Sequence, residues 1–368
     1  MTYGNMPPHA GAPGPLGPPP GWGGWMPPPP KPGVVPLGPL GLGEILGGAF
    51  ATIGRHWKQL LGMAFAAYGM ALVIIGGAIA IAYAAVSDRL DRVLDPEGPS
   101  GWDDVWPLLL TFGGVYLFGL LVMLMASALV YASCPAVLQD AVLGRPSAFG
   151  AVWGRSLARL WSVMGSVVLT ALIAAVPMLL FAAAGVALFI SLITLSLDGT
   201  GGDFGWLILI GFLGALATGP AAVWLWVKFC LAPAAAVFEG QGAVAAMTRS
   251  AQLVRGDWWR IFGIALLAYA MAGVAGYLVQ LPLSLLNLFG PSLTDDASTS
   301  GAALTIVITS LAFGLVTSLV GQALTAVFPQ LVVSLLYVDR RIRTENLAPA
   351  LAEAAGVPWQ APPAAPRF

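Results

Sequence analysis

Leu60 to Val86 reads LLGMAFAAYGMALVIIGGAIAIAYAAV. It contains no Asp, Glu, Lys or Arg, and it is longer than the roughly 20 apolar residues that carry a helix across a bilayer. Five further stretches share its character: Val105–Leu138, Trp161–Leu197, Phe204–Val227, Ile261–Leu293 and Ala302–Val338. The longer ones exceed a single crossing, so they are expected to tilt or to extend along the interface at one end. Pro177 and Pro282 are placed to kink the third and fifth.

The composition of the 368-residue chain agrees with that reading. Hydrophobic residues make up 58% and charged residues 9%, against roughly 25% charged in an ordinary soluble domain. A mean hydropathy of +0.84 over this length requires lipid as the solvent, which excludes doubly wound, TIM-barrel and sandwich enzymes. With 16 Lys and Arg against 17 Asp and Glu there is no basic footprint for nucleic acid. The fold class is an all-α membrane protein with six transmembrane helices.

The few charges set the orientation. One set of connections carries Arg55, Lys58, Arg145, Arg155, Arg159, Lys228, Arg249, Arg255, Arg260, Arg340, Arg341 and Arg343. The opposite set carries Arg89 and Arg92 among many acids, such as Asp103, Asp104, Asp198, Asp203, Asp295 and Asp296. Short basic loops stay on the cytoplasmic side, so both termini are expected there, in the plasma membrane. Residues 1–40 read as a disordered Pro/Gly-rich tail, 41–345 as the membrane domain, and 346–368 as a short Ala/Pro-rich tail.

The basic connections resemble one another. Helix-length segments at Gly43–Lys58, Ser147–Leu160 and Gly242–Arg260 precede spans one, three and five. Each runs into a Trp or Leu with a Gly five residues on: Trp57 to Gly62, Leu160 to Gly165, Trp258 to Gly263. Pro135 and Pro233 each stand 30 residues before the next such Gly. This predicts three units, at about 41–138, 139–238 and 239–345, each an interfacial helix plus a transmembrane hairpin. Basic helices with Trp at their ends suit the headgroup plane, which makes Arg55, Trp57, Lys58, Arg155, Arg159, Trp161, Arg255, Trp258, Trp259 and Arg260 candidate lipid-interface residues.

Several segments carry a family resemblance. They are Pro39-Leu-Gly-Leu-Gly-Glu-Ile-Leu-Gly-Gly-Ala-Phe50, Phe238-Glu-Gly240, Arg249-Ser250, Leu253-Val-Arg-Gly256 and Leu336-Tyr-Val-Asp-Arg-Arg-Ile-Arg-Thr-Glu345. With them, roughly residues 36–347 resemble a family of bacterial, especially actinobacterial, multi-pass membrane proteins. That family is similar to the membrane domain attached to some glycerophosphoryl diester phosphodiesterases. In those two-part relatives, the resemblance implies, catalysis belongs to a separate barrel domain, and no catalytic residue transfers to this chain.

The residues offer little chemistry of their own. There is no Gly-x-Ser-x-Gly, His-Glu-x-x-His, Cys-x-x-Cys or Walker A pattern, and no metal or cofactor is expected. His56, within Arg55-His-Trp-Lys58, reads as an interfacial anchor. Cys134 and Cys230 read as buried thiols, with a disulfide or a metal pair as alternatives. No span holds an ionisable residue of the kind ion-coupled carriers use. Gln280, Asn287, Gln322 and Gln330 are the notable polar groups in spans five and six, able to line a cavity or to hydrogen-bond between helices. The expected function is a non-enzymatic scaffold or accessory subunit, with membrane lipids and a protein partner as its contacts. A transporter or channel for lipid or small apolar solutes is the alternative, and a membrane-embedded phosphodiesterase the third.

Overall fold

The computed structural model describes residues 31–94, 102–198, 205–295 and 300–357. Among these residues the chain forms α1 (Leu42–Leu94), α2 (Trp102–Val142), α3 (Phe149–Asp198), α4 (Gly205–Phe229), α5 (Ala232–Phe238), α6 (Ala243–Val254), α7 (Trp258–Asp295), α8 (Ser300–Glu345) and α9 (Ala348–Ala355), with no strand. Six runs are long and apolar enough to cross a membrane: Leu42–Ser87, Trp106–Val142, Phe149–Leu195, Gly205–Phe238, Trp258–Pro282 and Thr317–Glu345. The side chain of Asn287 and the acidic connections at 95–101, 199–204 and 296–299 lie outside the described residues.

Three antiparallel hairpins, α1/α2, α3/α4 and α7/α8, make the densest pairings. Close approach at their crossings rests on small residues. A Cβ on Gly211 would come 2.8 Å from that of Ala184, and one on Gly276 would come 2.7 Å from Thr325 Cγ2. Without a side chain at these positions the backbones can touch, and dispersion replaces the missing hydrophobic drive between helices in lipid. The hairpins join through α2 on α3 and α1 on α8, with α8 also on α2; α4 and α7 meet only sparsely.

The helices are consequently unequal. In α8, 72% of the apolar window of Thr317–Glu345 is buried, against 6% in the spans of α3 and α4. The first half of the hydrophobic contrast is the core around Leu331, Leu335, Leu336 and Tyr337. Its second half is the outward surface of Ile81, Leu172, Met178, Phe189 and Tyr277, all largely exposed. A contiguous apolar exterior of this extent suits lipid and not water.

The segments ahead of spans one, three and five are not alike. α1 bends at His56, whose backbone is non-helical (φ −122°, ψ 28°). Between α6 and α7 the helix is broken at Arg255–Asp257, where Gly256 takes φ +90° and the Asp257 carbonyl starts the next helix by accepting from Ile261 N. The second segment is not set off: α3 runs unbroken from Phe149 to Asp198, through Pro177. Nothing between Arg155 and Gly165 forces a non-helical backbone, so propagation, which adds one hydrogen bond per residue, continues.

The largest difference from expectation concerns the first tail. Its last part, residues 33–40, is a packed strap, with Val34, Val35, Leu37 and Leu40 each 0–4% exposed. Gly33 lies so close to α2 that a Cβ would fall 2.1 Å from the Ala141 carbonyl oxygen, and Val34 N donates to that oxygen (3.2 Å). Pro36 and Pro39 deny the strap a helix or a ladder, so it is held by side-chain burial. α1 then starts where Gly41 N donates to Glu44 Oε2 (2.7 Å), the return half of a capping box.

Candidate functional site

The antiparallel hairpins gather the start of α1, the end of α2, the starts of α3 and α7 and the ends of α4 and α8 at one end of the bundle. This charged end also receives the strap and α9: Leu40 N meets Asp339 (2.8 Å), and the Ala354 carbonyl meets Arg145 Nη2 (2.9 Å). Most residues proposed for lipid contact sit here, in two groups. Arg55, Trp57, Lys58, Trp161, Arg255 and Trp259 are exposed, and Lys58 Nζ lies over the Trp57 ring (5.7 Å). Trp258 stacks on Phe262 and meets Trp259 edge-on.

The remaining arginines are half-buried and bound by protein groups. Arg155 pairs with Asp140 (2.5 Å). Arg159 Nη1 donates to the Gly240 carbonyl (2.6 Å), an approach that glycine permits: Gly240 has φ +68°, and a Cβ there would fall 2.6 Å from Arg159 Nη2. Arg260 Nη1 donates to Asp339 Oδ2 (2.6 Å) and its Nη2 to the Leu40 carbonyl (2.7 Å). A basic count from sequence does not distinguish a guanidinium facing phosphate from one facing a carboxylate on the next helix.

Four acids organise this end. Asp339 has a fully buried side chain and accepts from Leu40 N (2.8 Å), Arg260 and Arg343 Nε (2.9 Å), while Arg343 Nη2 also reaches the Leu40 carbonyl (2.9 Å). Both oxygens are satisfied, the condition under which a buried charge is tolerated. Glu239, after α5, accepts from Arg249 Nε (2.9 Å), Gln241 Nε2 (2.9 Å) and the Tyr337 hydroxyl (2.5 Å). Glu345 joins Arg249 to Arg341. Asp257 pairs with Arg340, whose Nε donates to the Leu253 carbonyl (2.8 Å). Partial burial pulls the Arg249 guanidinium down, but the hydrogen bonds and charges of Glu239 and Glu345 outweigh it and hold the group above its ordinary value. α6 turns Ala246, Ser250, Leu253 and Val254 inward, the spacing of one helical face. Its Ser250 hydroxyl donates to the Lys228 carbonyl (2.8 Å).

Among the described side chains of the polar residues of spans five and six, Gln280, Gln322 and Gln330 do not form one lining. Gln280 is exposed, and a Cβ on Gly321 of α8 would come 3.3 Å from its Nε2. Gln322 is also exposed. Gln330 is 3% exposed and its Nε2 has no hydrogen-bond partner. It borders a cavity of about 230 Å³ with Tyr131, Ser166, Thr170, Trp226 and Tyr269, next to the sparse contact of α4 with α7. Cys134 and Cys230 are free thiols. Among the described residues no group of three or more His, Cys, Asp and Glu side chains is placed to hold a metal ion.

Sequence reasoning quoted Glu239, Tyr337 and Asp339 only within the segments that carry the family resemblance, and it did not single out Asp257 or the strap. A signal was present for the last acids and arginines, since Tyr337, Asp339, Arg340, Arg341, Arg343 and Glu345 alternate at helical spacing at the end of an otherwise uncharged span. A family model described as a domain of unknown function (DUF7847) matches residues 178–339. That segment is less than half of the chain and runs from within α3 to Asp339, taking in Glu239, Arg249, Asp257 and Arg260. The chain matches no curated protein and no solved structure at a significant level.

Proposed function

We propose that this chain is a non-enzymatic scaffold or accessory subunit of the bacterial plasma membrane. In this reading it has six spans in three hairpin units, each entered from an interfacial segment, and both termini are cytoplasmic. The charged end is then the cytoplasmic face, offering a rigid surface to a protein partner and an aromatic and basic rim to lipid. One observation carries the reading: Asp339, Glu239, Glu345 and Asp257 are each engaged by arginines from neighbouring segments, Arg260 and Arg343, Arg249, Arg341 and Arg340 among them. Groups so paired fix the geometry of a face and leave few free for chemistry. The resemblance to phosphodiesterase membrane domains fits an accessory role as well.

The test is cross-linking mass spectrometry on protein extracted from its native membrane in a mild detergent. Lys31, Lys58 and Lys228 are the lysines available at the charged end. Reproducible cross-links from them to one partner are expected. Recovery as a solitary protein under several mild detergents overturns the reading.

The cavity beside Gln330 favours a second reading, in which the bundle handles lipid or a small apolar solute. An unpaired amide next to an open seam can receive a polar group carried on an apolar body. Lipid flux in liposomes that is unchanged by the protein removes this reading.

A further inference from the structure

A second pocket, of about 340 Å³, opens at the charged end against the bend of α1. Arg55, His56 and Gln59 form one wall, and the 144–147 turn that leads into α3 forms the other. No carboxylate lines it. Asp140 acts on His56 electrostatically from outside the lining, and it is clamped by Arg155 at 2.5 Å.

The lining is rich in donors. Arg55 is exposed. Arg145 uses one of its five N–H groups on the Ala354 carbonyl (2.9 Å). Gln59 Nε2 donates to the Ser147 carbonyl (2.8 Å) and holds the turn in place. His56 is 4% exposed; its Nδ1 lies 3.0 Å from Ser147 Oγ, and its Nε2 has no hydrogen-bond partner. A buried ring nitrogen without a partner is costly unless something else completes it. α3 starts at Phe149, so the turn also lies at a helix N-terminus, where exposed amides and the helix dipole favour negative charge.

We infer that this pocket binds a phosphate-bearing anion. Arg55 and Arg145 supply the charge, and His56 with Ser147 supplies a hydrogen-bonding pair between them. Guanidinium groups match phosphate oxygens in pairs, and the imidazole nitrogen completes its bonding as a donor. The phosphate can come from a phospholipid headgroup or from a soluble compound. The lipid source rests on the proposed reading of this end as the cytoplasmic headgroup side, where Trp57 and Lys58 stand exposed next to the pocket.

Thermal unfolding of the full chain in detergent micelles tests the site, at fixed ionic strength. The probes are dioctanoyl phosphatidic acid, dioctanoyl phosphatidylcholine and inorganic phosphate. Phosphatidic acid is expected to raise the unfolding temperature saturably, and phosphatidylcholine is not. Arg55→Gln, at an exposed position, should keep the unliganded unfolding temperature and raise the half-saturating concentration about tenfold or more, the worth of a charge-assisted contact. Arg145→Gln should weaken binding in the same direction. A shift with inorganic phosphate alone, still dependent on Arg55, supports the site and removes the lipid source. No shift with either phosphate, or an equal shift in Arg55→Gln, overturns the proposal.

Discussion

Two seams close the ring of hairpins in opposite ways. Where α1 meets α8, the strap is tucked beneath the helices. Phe50 packs on Phe328 with ring centroids 4.8 Å apart, and a Cβ on Gly48 would fall 2.4 Å from Val35 and 3.3 Å from Leu335. Below them Asp339 ties the strap to α7 and α8. Where α4 meets α7 there is no strap. Trp226 meets Tyr269 edge-on at 5.4 Å, Trp258 Nε1 reaches the Trp224 carbonyl at 3.5 Å, and a cavity is left beside the unpaired Gln330 amide. Apolar helices in lipid gain little from touching one another, so a seam is tight only where small residues, an inserted segment or ion pairs make it so.

The largest effect should come from the centre of the tight seam. Asp339→Ala leaves Arg260 and Arg343 without their shared carboxylate, and breaking a buried pair costs about 3–5 kcal/mol. Thermal unfolding in detergent should fall steeply, or the protein should fail to accumulate. Leu37→Ala removes a fully buried side chain from the strap and should cost about 2–5 kcal/mol; no loss of stability would return the strap to the status of a tail. Gly48→Val forces a side chain into Val35 and should cost about 1–3 kcal/mol. Gly273→Ala on α7, where a Cβ meets nothing within 4 Å, is its neutral control. The smallest change is expected at the loose seam. Gln330→Leu removes an unpaired buried amide and should leave stability unchanged or raise it by about 1 kcal/mol. A clear loss of stability there would mean that the amide is paired and the seam closed.

The six spans were legible from the absence of charge alone, because one unpaired ion within a span costs more than any local preference can repay. The close crossings at Gly211 and Gly276 fall on small residues, as tight helix contacts in lipid require. Ion pairing was not legible. Arg260 and Asp339 stand 79 residues apart, and no pattern in a single chain announces such a partner. Arg155 and Arg159 read as lipid contacts for the same reason. The strap was hidden by its prolines, which mark disorder by composition although Val34, Val35, Leu37 and Leu40 supply enough apolar surface to be buried. The segments quoted for the family resemblance include Glu239, Arg249, Leu253, Tyr337, Asp339 and Glu345, all members of this network.

The central claim is that the strap and the ion pairs make the charged end one rigid unit. Hydrogen exchange by mass spectrometry, on protein in lipid nanodiscs, tests it most directly. The peptide over 33–41 should exchange as slowly as that over 331–343, and Asp339→Asn should accelerate both together. A strap that exchanges at the rate of unstructured chain, with 331–343 still protected, would contradict the account.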